Sequence, residues 1–248
     1  MRINKSIIYN RTREKEKINM DKRKTYLLGI DTETANGRTT EDGKTDLTDS
    51  LVYDIGYVIT DKKGTVYEKG SLAIADIFLW KELMNTAYYK EKIPRYEQEI
   101  KDGSRKLVTI WTARKMLTAL IEKYNIKAWY AHNARFDMNA LNNTVRYLSG
   151  SRTRYFFPKM EIWDTLKMSR DVLKQRKTYT AFCNRYGFKT NHRPPQNQYK
   201  AETIYRYITM DENFEEQHVG LDDILIEAEI LAYCFRSHKK MRKCLFEK

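Results

Sequence analysis

The stretch Tyr26-Leu27-Leu28-Gly29-Ile30-Asp31-Thr32-Glu33 decides the fold, because it joins a short apolar run to two acidic residues. A run of this kind predicts a strand buried in the middle of a sheet. Residues two apart on a strand point to the same face, so Asp31 and Glu33 would project together near the strand's carboxyl end. Two adjacent carboxylates repel each other unless a cation joins them, which indicates a site for a hard divalent ion. The alternative is a pair of ordinary surface acids.

The residues after this strand predict a β-hairpin followed by alternating helices and strands. Residues 51–60 and 65–74 are separated by Asp61-Lys62-Lys63-Gly64, which is typical of a turn. Residues 76–106 contain Ile93-Pro94 and Gly103 and predict short helices and flexible chain. The remaining segments are a helix over 112–124, a strand over 128–131, a helix over 134–148, a strand candidate over 155–163 and a helix over 220–235. We therefore expect one domain, with a mixed sheet and helices on both faces.

A second acidic motif, Ala131-His132-Asn133-Ala134-Arg135-Phe136-Asp137, lies at a predicted junction between strand and helix. Asp137 has a simple alternative role there, since an acid in the first helical turn interacts favourably with the helix dipole. If the strand over 128–131 is a neighbour of the strand that carries Asp31, Asp137 reaches the same edge of the sheet. We interpret His132 as a buried imidazole whose nitrogens are hydrogen-bonded.

The third motif, His218-Val219-Gly220-Leu221-Asp222-Asp223, precedes an apolar helical face. Five residues of continuous helix turn by about 500°, which would place His218 and Asp223 on different faces. We therefore expect His218 in the loop before the helix, with Gly220 permitting the turn. Asp223 is the functional acid in this interpretation, and Asp222 is an exposed acid that complements the helix dipole.

The net charge of +13 is concentrated at the two ends of the chain. Residues 1–24 carry nine Lys and Arg against three acids, and residues 236–248 carry six against one. Between the ends, the segment over 146–193 is basic and the segment over 202–229 is acidic. The basic segment could contact phosphates directly, whereas the acidic segment could approach phosphates only with a bound cation. Solvated charged faces are the simpler alternative. Four aromatic residues of the basic segment could stack on bases, although their spacing favours the core: Tyr147, Tyr155, Phe156 and Phe157.

The sequence excludes several classes of protein. No stretch approaches the roughly 18 consecutive apolar residues of a membrane span, and the first residues lack a secretory apolar region. We therefore expect a cytoplasmic protein without a membrane partner. The three cysteines form no close pair, which favours reduced thiols over a zinc site or a disulfide framework.

The ordered set D-x-E, H-N-x-x-F-D and H-x-x-x-x-D resembles the DEDDh branch of the DnaQ-like 3′→5′ exonucleases, from about Tyr26 to Phe235. The resemblance implies an α/β, ribonuclease H-like fold, in which helices flank both faces of a mixed five-stranded sheet. The resemblance also implies an exonuclease domain over 25–236, and the composition of the two ends predicts a basic, flexible extension over 1–24 and a basic tail over 237–248. Asp164, in Trp163-Asp164-Thr165-Leu166, we interpret as a helix N-cap.

The same resemblance assigns the site residues and the chemistry. Two Mg²⁺ or Mn²⁺ ions would be held by Asp31, Glu33 and Asp223 with help from Asp137, and His218 would deprotonate the attacking water. The expected reaction removes 5′-mononucleotides from the 3′ end of single-stranded DNA. An exoribonuclease of the same fold is the alternative, and a non-catalytic nucleic-acid-binding module is a third possibility. The sequence identifies no protein partner.

Overall fold

A six-stranded sheet forms the centre of the computed structural model, which describes residues 21, 23–36, 38–39 and 45–247. The strand order across this sheet is β6-β5-β4-β1-β7-β8. Its strands are β1 (Tyr26–Ala35), β4 (Leu51–Asp61), β5 (Val66–Ile74), β6 (Arg105–Val108), β7 (Ala128–Ala131) and β8 (Glu161–Asp164). Two further strands, β2 (Arg38–Thr39) and β3 (Thr45–Asp46), pair only with each other.

The sheet is mixed, as the sequence predicts. β4 is antiparallel to both β1 and β5, so the predicted hairpin is confirmed. β7 runs parallel to β1, and β8 runs parallel to β7. The expected five strands are joined by a sixth, β6, which lies parallel to β5 in the segment where we expected short helices and flexible chain. The most deeply buried side chain of β6 is the charged Arg105, which is 1% exposed, whereas the apolar Leu107 is 38% exposed, so apolar patterning does not indicate this strand.

Helices cover both faces of the sheet. They are α1 (Ala75–Phe78), α2 (Lys81–Met84), a 3₁₀ turn (Lys90–Lys92), α3 (Ile93–Asp102), α4 (Ile110–Lys123), α5 (Ala134–Ser149), α6 (Thr165–Leu173), α7 (Lys177–Tyr186), α8 (Ala201–Thr209) and α9 (Gly220–Arg236). Pro94 opens α3 instead of interrupting a helix, because a first-turn proline needs no hydrogen-bond donor. Gly103 ends α3 with a φ of 83°.

The side chains of β1 point alternately to the two faces of the sheet and so contribute to two separate apolar layers. Leu28 and Ile30 pack in one buried cluster together with Leu141 of α5. Leu27, on the opposite face, belongs to a second cluster with Ile224 of α9. Helices α5 and α9 therefore lie on opposite faces of the sheet, and both begin close to its centre. Within the described residues, no helix is long and apolar enough to cross a bilayer.

The basic segment after α5 differs from its sequence interpretation in two ways. The strand candidate over 155–163 is a strand only at Glu161–Asp164, because the chain before it turns inward to bury Phe156. Phe156 is 1% exposed, as expected for a core residue, but Tyr147 and Tyr155 are 54% and 59% exposed. The expectation of core packing is therefore wrong for these two tyrosines.

The residues at the end of the described chain pack on β8. Cys244 forms an antiparallel bridge with Trp163, and the Leu245 amide donates to the Ile162 carbonyl at 2.8 Å. Arg242 forms an ion pair with Asp171 of α6 at 2.8 Å. The residues of the expected basic tail from 241 to 247 are thus attached to the domain. Residues 1–20 of the expected N-terminal extension lie outside the described residues.

Candidate metal centre and cleft

The two carboxylates of β1 lie beyond the point where this strand is paired on both sides. β7 pairs with β1 at Leu28 and Gly29 only, whereas β4 continues alongside β1 to Ala35. Asp31 and Glu33 therefore follow the carboxyl end of the parallel neighbour, where α/β sheets bind ligands. The register of β1 against β4 shifts directly after Glu33, which marks a bulge at the site.

Helix α9 brings Asp223 to these carboxylates through a close approach of two glycines. A Cβ atom on Gly220 would lie 2.7 Å from the Gly56 amide nitrogen and 3.1 Å from the Asp31 carbonyl oxygen. A Cβ atom on Gly56 would overlap the Gly220 carbonyl carbon. The first turn of α9 thus lies directly on β1 and β4, and Asp223 is 5% exposed one turn into the helix.

Asp31, Glu33 and Asp223 form a cluster that could hold a metal ion, since one oxygen from each lies within 4.8 Å of the others. Burial and the neighbouring carboxylates raise the pKa of Asp31 and Glu33 well above their usual values. Burial and the Glu216 charge raise the pKa of Asp223 to about 8. Oδ1 of Asp223 is buried and lacks a hydrogen-bond partner among the described residues. An unpaired buried carboxylate oxygen in this setting fits a hard divalent cation.

Asp137 is near this triad but outside it. Its Oδ1 accepts hydrogen bonds from the Thr32 amide at 3.1 Å and from the Thr32 hydroxyl at 2.8 Å. Burial raises its pKa to about 7. Thr32 lies on β1 between the two acids of the first motif, so Asp137 is at the expected edge of the sheet. Its side chain fixes the backbone between two candidate ligands.

His218 lies in the loop before α9, as expected, and faces the same cleft. Its backbone has a φ of 52°, a conformation that costs a non-glycine residue about 1–2 kcal/mol and often occurs at functional sites. The imidazole stacks on the ring of Tyr89 at 4.2 Å between centroids, with the planes 7° apart. Burial lowers the pKa of His218, so the ring is neutral at neutral pH and able to accept a proton. The cleft, of about 420 Å³, is lined by Asp31, Glu33, His218 and Asp223.

Comparison with solved structures identifies proteins of similar architecture. A 3′-exonuclease that recognises the 3′ end of a histone mRNA stem-loop aligns with a TM-score of 0.55 and 13% identity, covering 89% of this chain and 85% of that one. The chain has a ribonuclease H-like fold. A full-length 3′-exonuclease aligns with the same identity and coverage and a TM-score of 0.54. No family model matches the sequence, and no curated protein is significantly similar to it.

Two further acidic residues, which we did not predict from the sequence, line the cleft: Glu216 before His218, and Glu227 in α9. Glu227 is the more deeply buried of the two. It is 3% exposed, burial raises its pKa well above the usual value, and its Oε2 accepts a hydrogen bond from the His132 amide at 2.9 Å. Glu227 follows Asp223 by four residues, so both lie on one face of α9. That spacing, inside a helix that is otherwise apolar on its buried face, was the signal available in the sequence.

The structure confirms the structural roles that we predicted for His132 and Asp164. Nδ1 of His132 lies 3.0 Å from the Thr165 hydroxyl, and Nε2 lies 2.8 Å from the Tyr199 carbonyl oxygen. Both ring nitrogens are therefore occupied and unavailable to a ligand. Asp164 caps α6 by accepting a hydrogen bond from the Leu166 amide at 3.0 Å, which confirms the N-cap interpretation.

Asp222 lies in the first turn of α9, as expected, but it is partly buried and paired with a cation instead of being freely exposed. It pairs with Arg95 at 2.7 Å, and Arg95 also pairs with Glu99 of α3. Glu99 contacts Arg105 of β6 at 2.8 Å, and Arg105 pairs with the fully buried Asp54, which lies opposite Glu33 on β4. This network attaches the start of α9 to the far edge of the sheet.

Proposed function

We propose that the protein is a metal-dependent 3′→5′ exonuclease that removes 5′-mononucleotides from single-stranded nucleic acid. The observation that carries the proposal is the triad of the half-buried Asp31 and the buried Glu33 and Asp223, with a neutral imidazole, His218, in the same cleft. A structural or purely binding module gains nothing from three mutually repelling carboxylates, two of them buried, whose ionised forms are costly without a cation. The similarity to solved 3′-exonucleases supports the same reaction class.

The donor set of the triad fits Mg²⁺ or Mn²⁺, which prefer carboxylate oxygens. Asp31, Glu33 and Asp223 would hold two such ions with help from Asp137, and the ions would stabilise the charge that develops on the phosphate. His218 accepts the proton of the attacking water through its ring, which Tyr89 keeps in orientation by stacking. Glu227 holds the backbone at His132, where β7 leads into α5. The hydroxyl and amide of Thr32 keep Asp137 beside the cleft.

The proposed substrate is a single-stranded nucleic acid, either DNA or RNA. The long chain and its basic ends lead us to expect DNA, but the family that the motifs resemble contains enzymes of both classes. One structural neighbour recognises RNA, which shifts the preference towards the exoribonuclease alternative. Contacts to a 2′-hydroxyl would distinguish the two substrates.

The direct test is product analysis with 5′-labelled DNA and RNA of one sequence, in Mg²⁺ or Mn²⁺ and in EDTA. We expect a metal-dependent ladder that shortens from the 3′ end, and the faster substrate identifies the preference. A circular oligonucleotide, which has no 3′ end, is the matched control and should remain intact. Binding of both linear substrates without any cleavage would instead indicate a non-catalytic module.

The raised pKa values of the carboxylates predict how stability depends on pH. Asp223 titrates at about 8 when folded and near 4 when unfolded, so between these values the folded state binds more protons. Stability in EDTA should therefore fall as pH rises from 7.0 to 8.5, a range above the ordinary pKa of histidine. Mn²⁺ replaces the protons, so it should raise the melting temperature more at pH 8.5 than at pH 7.0.

Thermal melts of the wild type and of Asp223→Asn at both pH values test this prediction. The variant has no charge at this position, so its melting temperature in EDTA should change less with pH than that of the wild type. Equal slopes for the two proteins would show that the pH dependence has another origin and would contradict the prediction.

A further inference from the structure

Exposed aromatic rings and arginines form a continuous surface around the end of α5, outside the cleft. Trp80 and Tyr147 stack with centroids 6.4 Å apart and planes 23° apart. The Arg146 guanidinium lies 5.1 Å from the centre of the Tyr155 ring. We call this set the aromatic–arginine surface, and its members are Trp80, Trp111, Arg146, Tyr147, Arg154 and Tyr155.

The exposure of these rings requires an explanation, because an aromatic side chain normally contributes to stability by burial. Tyr147 and Tyr155 are more than half exposed, and Trp80 is 43% exposed. Arg154 lies 5.3 Å from the centre of the Trp111 ring, which is itself 37% exposed. The rings are thus partly open to the solvent, and the rings of Tyr155 and Trp111 each have a guanidinium group over them.

The charge of this region is of one sign. Residues 138–160 contain no acidic residue but carry Arg146, Arg152, Arg154 and Lys159. Among the described residues, none of the three arginines forms an ion pair with an acid. The Arg146 side chain donates to the Arg154 carbonyl at 3.1 Å, which fixes the loop after α5 against the helix. A polyanion with flat rings complements such a surface in both charge and shape.

Helix α5 connects this surface to the cleft. Phe136 in its first turn lines the cleft, and Asp137 follows it. Tyr147 lies ten residues after Asp137, which is about 15 Å along the helix axis. On the way, Nδ2 of Asn143 donates to the Thr48 carbonyl at 2.7 Å, next to Leu47 of the cleft wall. A strand whose 3′ end lies in the cleft therefore reaches the surface after a few nucleotides.

We propose that the aromatic–arginine surface binds the single strand on the 5′ side of the nucleotide being hydrolysed. Bases stack on Trp80, Tyr147 and Tyr155, and the arginines contact phosphates without reading sequence. The position of the 3′ end in this proposal rests on the proposed exonuclease function. The surface favours a nucleic acid over a protein partner because it lacks acids and couples each guanidinium to a ring.

The test measures binding and hydrolysis separately. Binding of a 5′-fluorescent dT12 and rU12 is followed by anisotropy in EDTA, as a function of salt. We expect Trp80→Ala/Tyr147→Ala to weaken binding roughly tenfold through lost stacking. Arg146→Gln/Arg154→Gln should lower the slope of log affinity against log salt by about 1.4, since two phosphate contacts are lost. Lys101→Gln/Lys106→Gln is the control, because it removes the same charge at the β6 edge of the sheet and should leave both values unchanged.

Hydrolysis of the p-nitrophenyl ester of thymidine 5′-monophosphate, which is too short to reach the surface, should proceed at wild-type rate in both surface variants. Their kcat/KM on the 12-mers should fall. If both surface variants bind the 12-mers as the wild type does, or if the wild type does not bind them at low salt, the inference is overturned. If the wild type binds but hydrolyses neither ester nor 12-mers, the proposed exonuclease fails while the surface assignment stands.

Discussion

Asp223→Asn is expected to abolish hydrolysis and at the same time to stabilise the metal-free protein. The amide keeps the shape of the carboxylate but removes one charge from a cluster in which Asp31, Glu33 and Glu227 repel it. Loss of a metal ligand should cost several kcal/mol of transition-state stabilisation, and thus about 10³-fold or more in rate. Relief of the repulsion should raise the free energy of unfolding in EDTA by about 1 kcal/mol at pH 8.

Single-turnover hydrolysis and thermal melting in EDTA check the two halves of this prediction. Asp222→Asn is the matched control, because Asp222 is the adjacent residue, is about one-third exposed and pairs with Arg95 outside the cleft. It should retain activity and lose no more than about 1 kcal/mol of stability. Asp31→Ala should also abolish hydrolysis. Near-normal turnover in either cleft variant would exclude the proposed metal centre.

Gly56→Ala is expected both to destabilise the fold and to abolish hydrolysis. The added methyl group would overlap the Gly220 carbonyl carbon, so the first turn of α9 has to move away from the sheet. Overpacking of a rigid contact costs about 3 kcal/mol, which corresponds to a decrease in melting temperature of roughly 6–12 °C. Because α9 carries Asp223 and follows the loop of His218, its displacement separates the candidate ligands.

Thermal melting and hydrolysis of Gly56→Ala should be compared with Gly150→Ala. Gly150 ends α5 with a φ of 64°, and nothing lies within 4 Å of the position of its Cβ atom. The control therefore has only the backbone strain of about 1–2 kcal/mol and should keep its activity. A Gly56→Ala protein that melts like the wild type and remains active would show that Gly220 of α9 does not lie in close contact with Gly56.

Features that depend on residues close together in the sequence, such as strands and helix faces, could be predicted from the sequence. The apolar run before Asp31, the loop position of His218 and the inward side of Asp223 follow from strand and helix periodicity, and the structure places these side chains in one cleft. The ribonuclease H-like architecture, which the family resemblance implied, is also confirmed. The catalytic roles of these residues stay predictions.

Features set by contacts between distant segments could not be predicted in this way. β6 pairs with β5, and its buried Arg105 forms ion pairs with Asp54 of β4 and Glu99 of α3. Glu227 is buried where α9 meets the end of β7, and its carboxylate accepts a hydrogen bond from the His132 amide. Tyr147 is exposed on α5 while the adjacent Leu148 packs against the core, although the type and spacing of Tyr147 resemble those of a core residue.

The docking of the chain around Cys244 on β8 also protects the protein from self-association. The outer strand of an open sheet offers unsatisfied donors and acceptors to any other extended chain, and β8 is such a strand in this fold. Here the Leu245 amide and the Lys243 carbonyl already engage Ile162 and Asp164. The opposite border, β6, has only four residues and exposes Lys106, which discourages pairing by charge. Neither border of the sheet is therefore a ready template for intermolecular β-pairing.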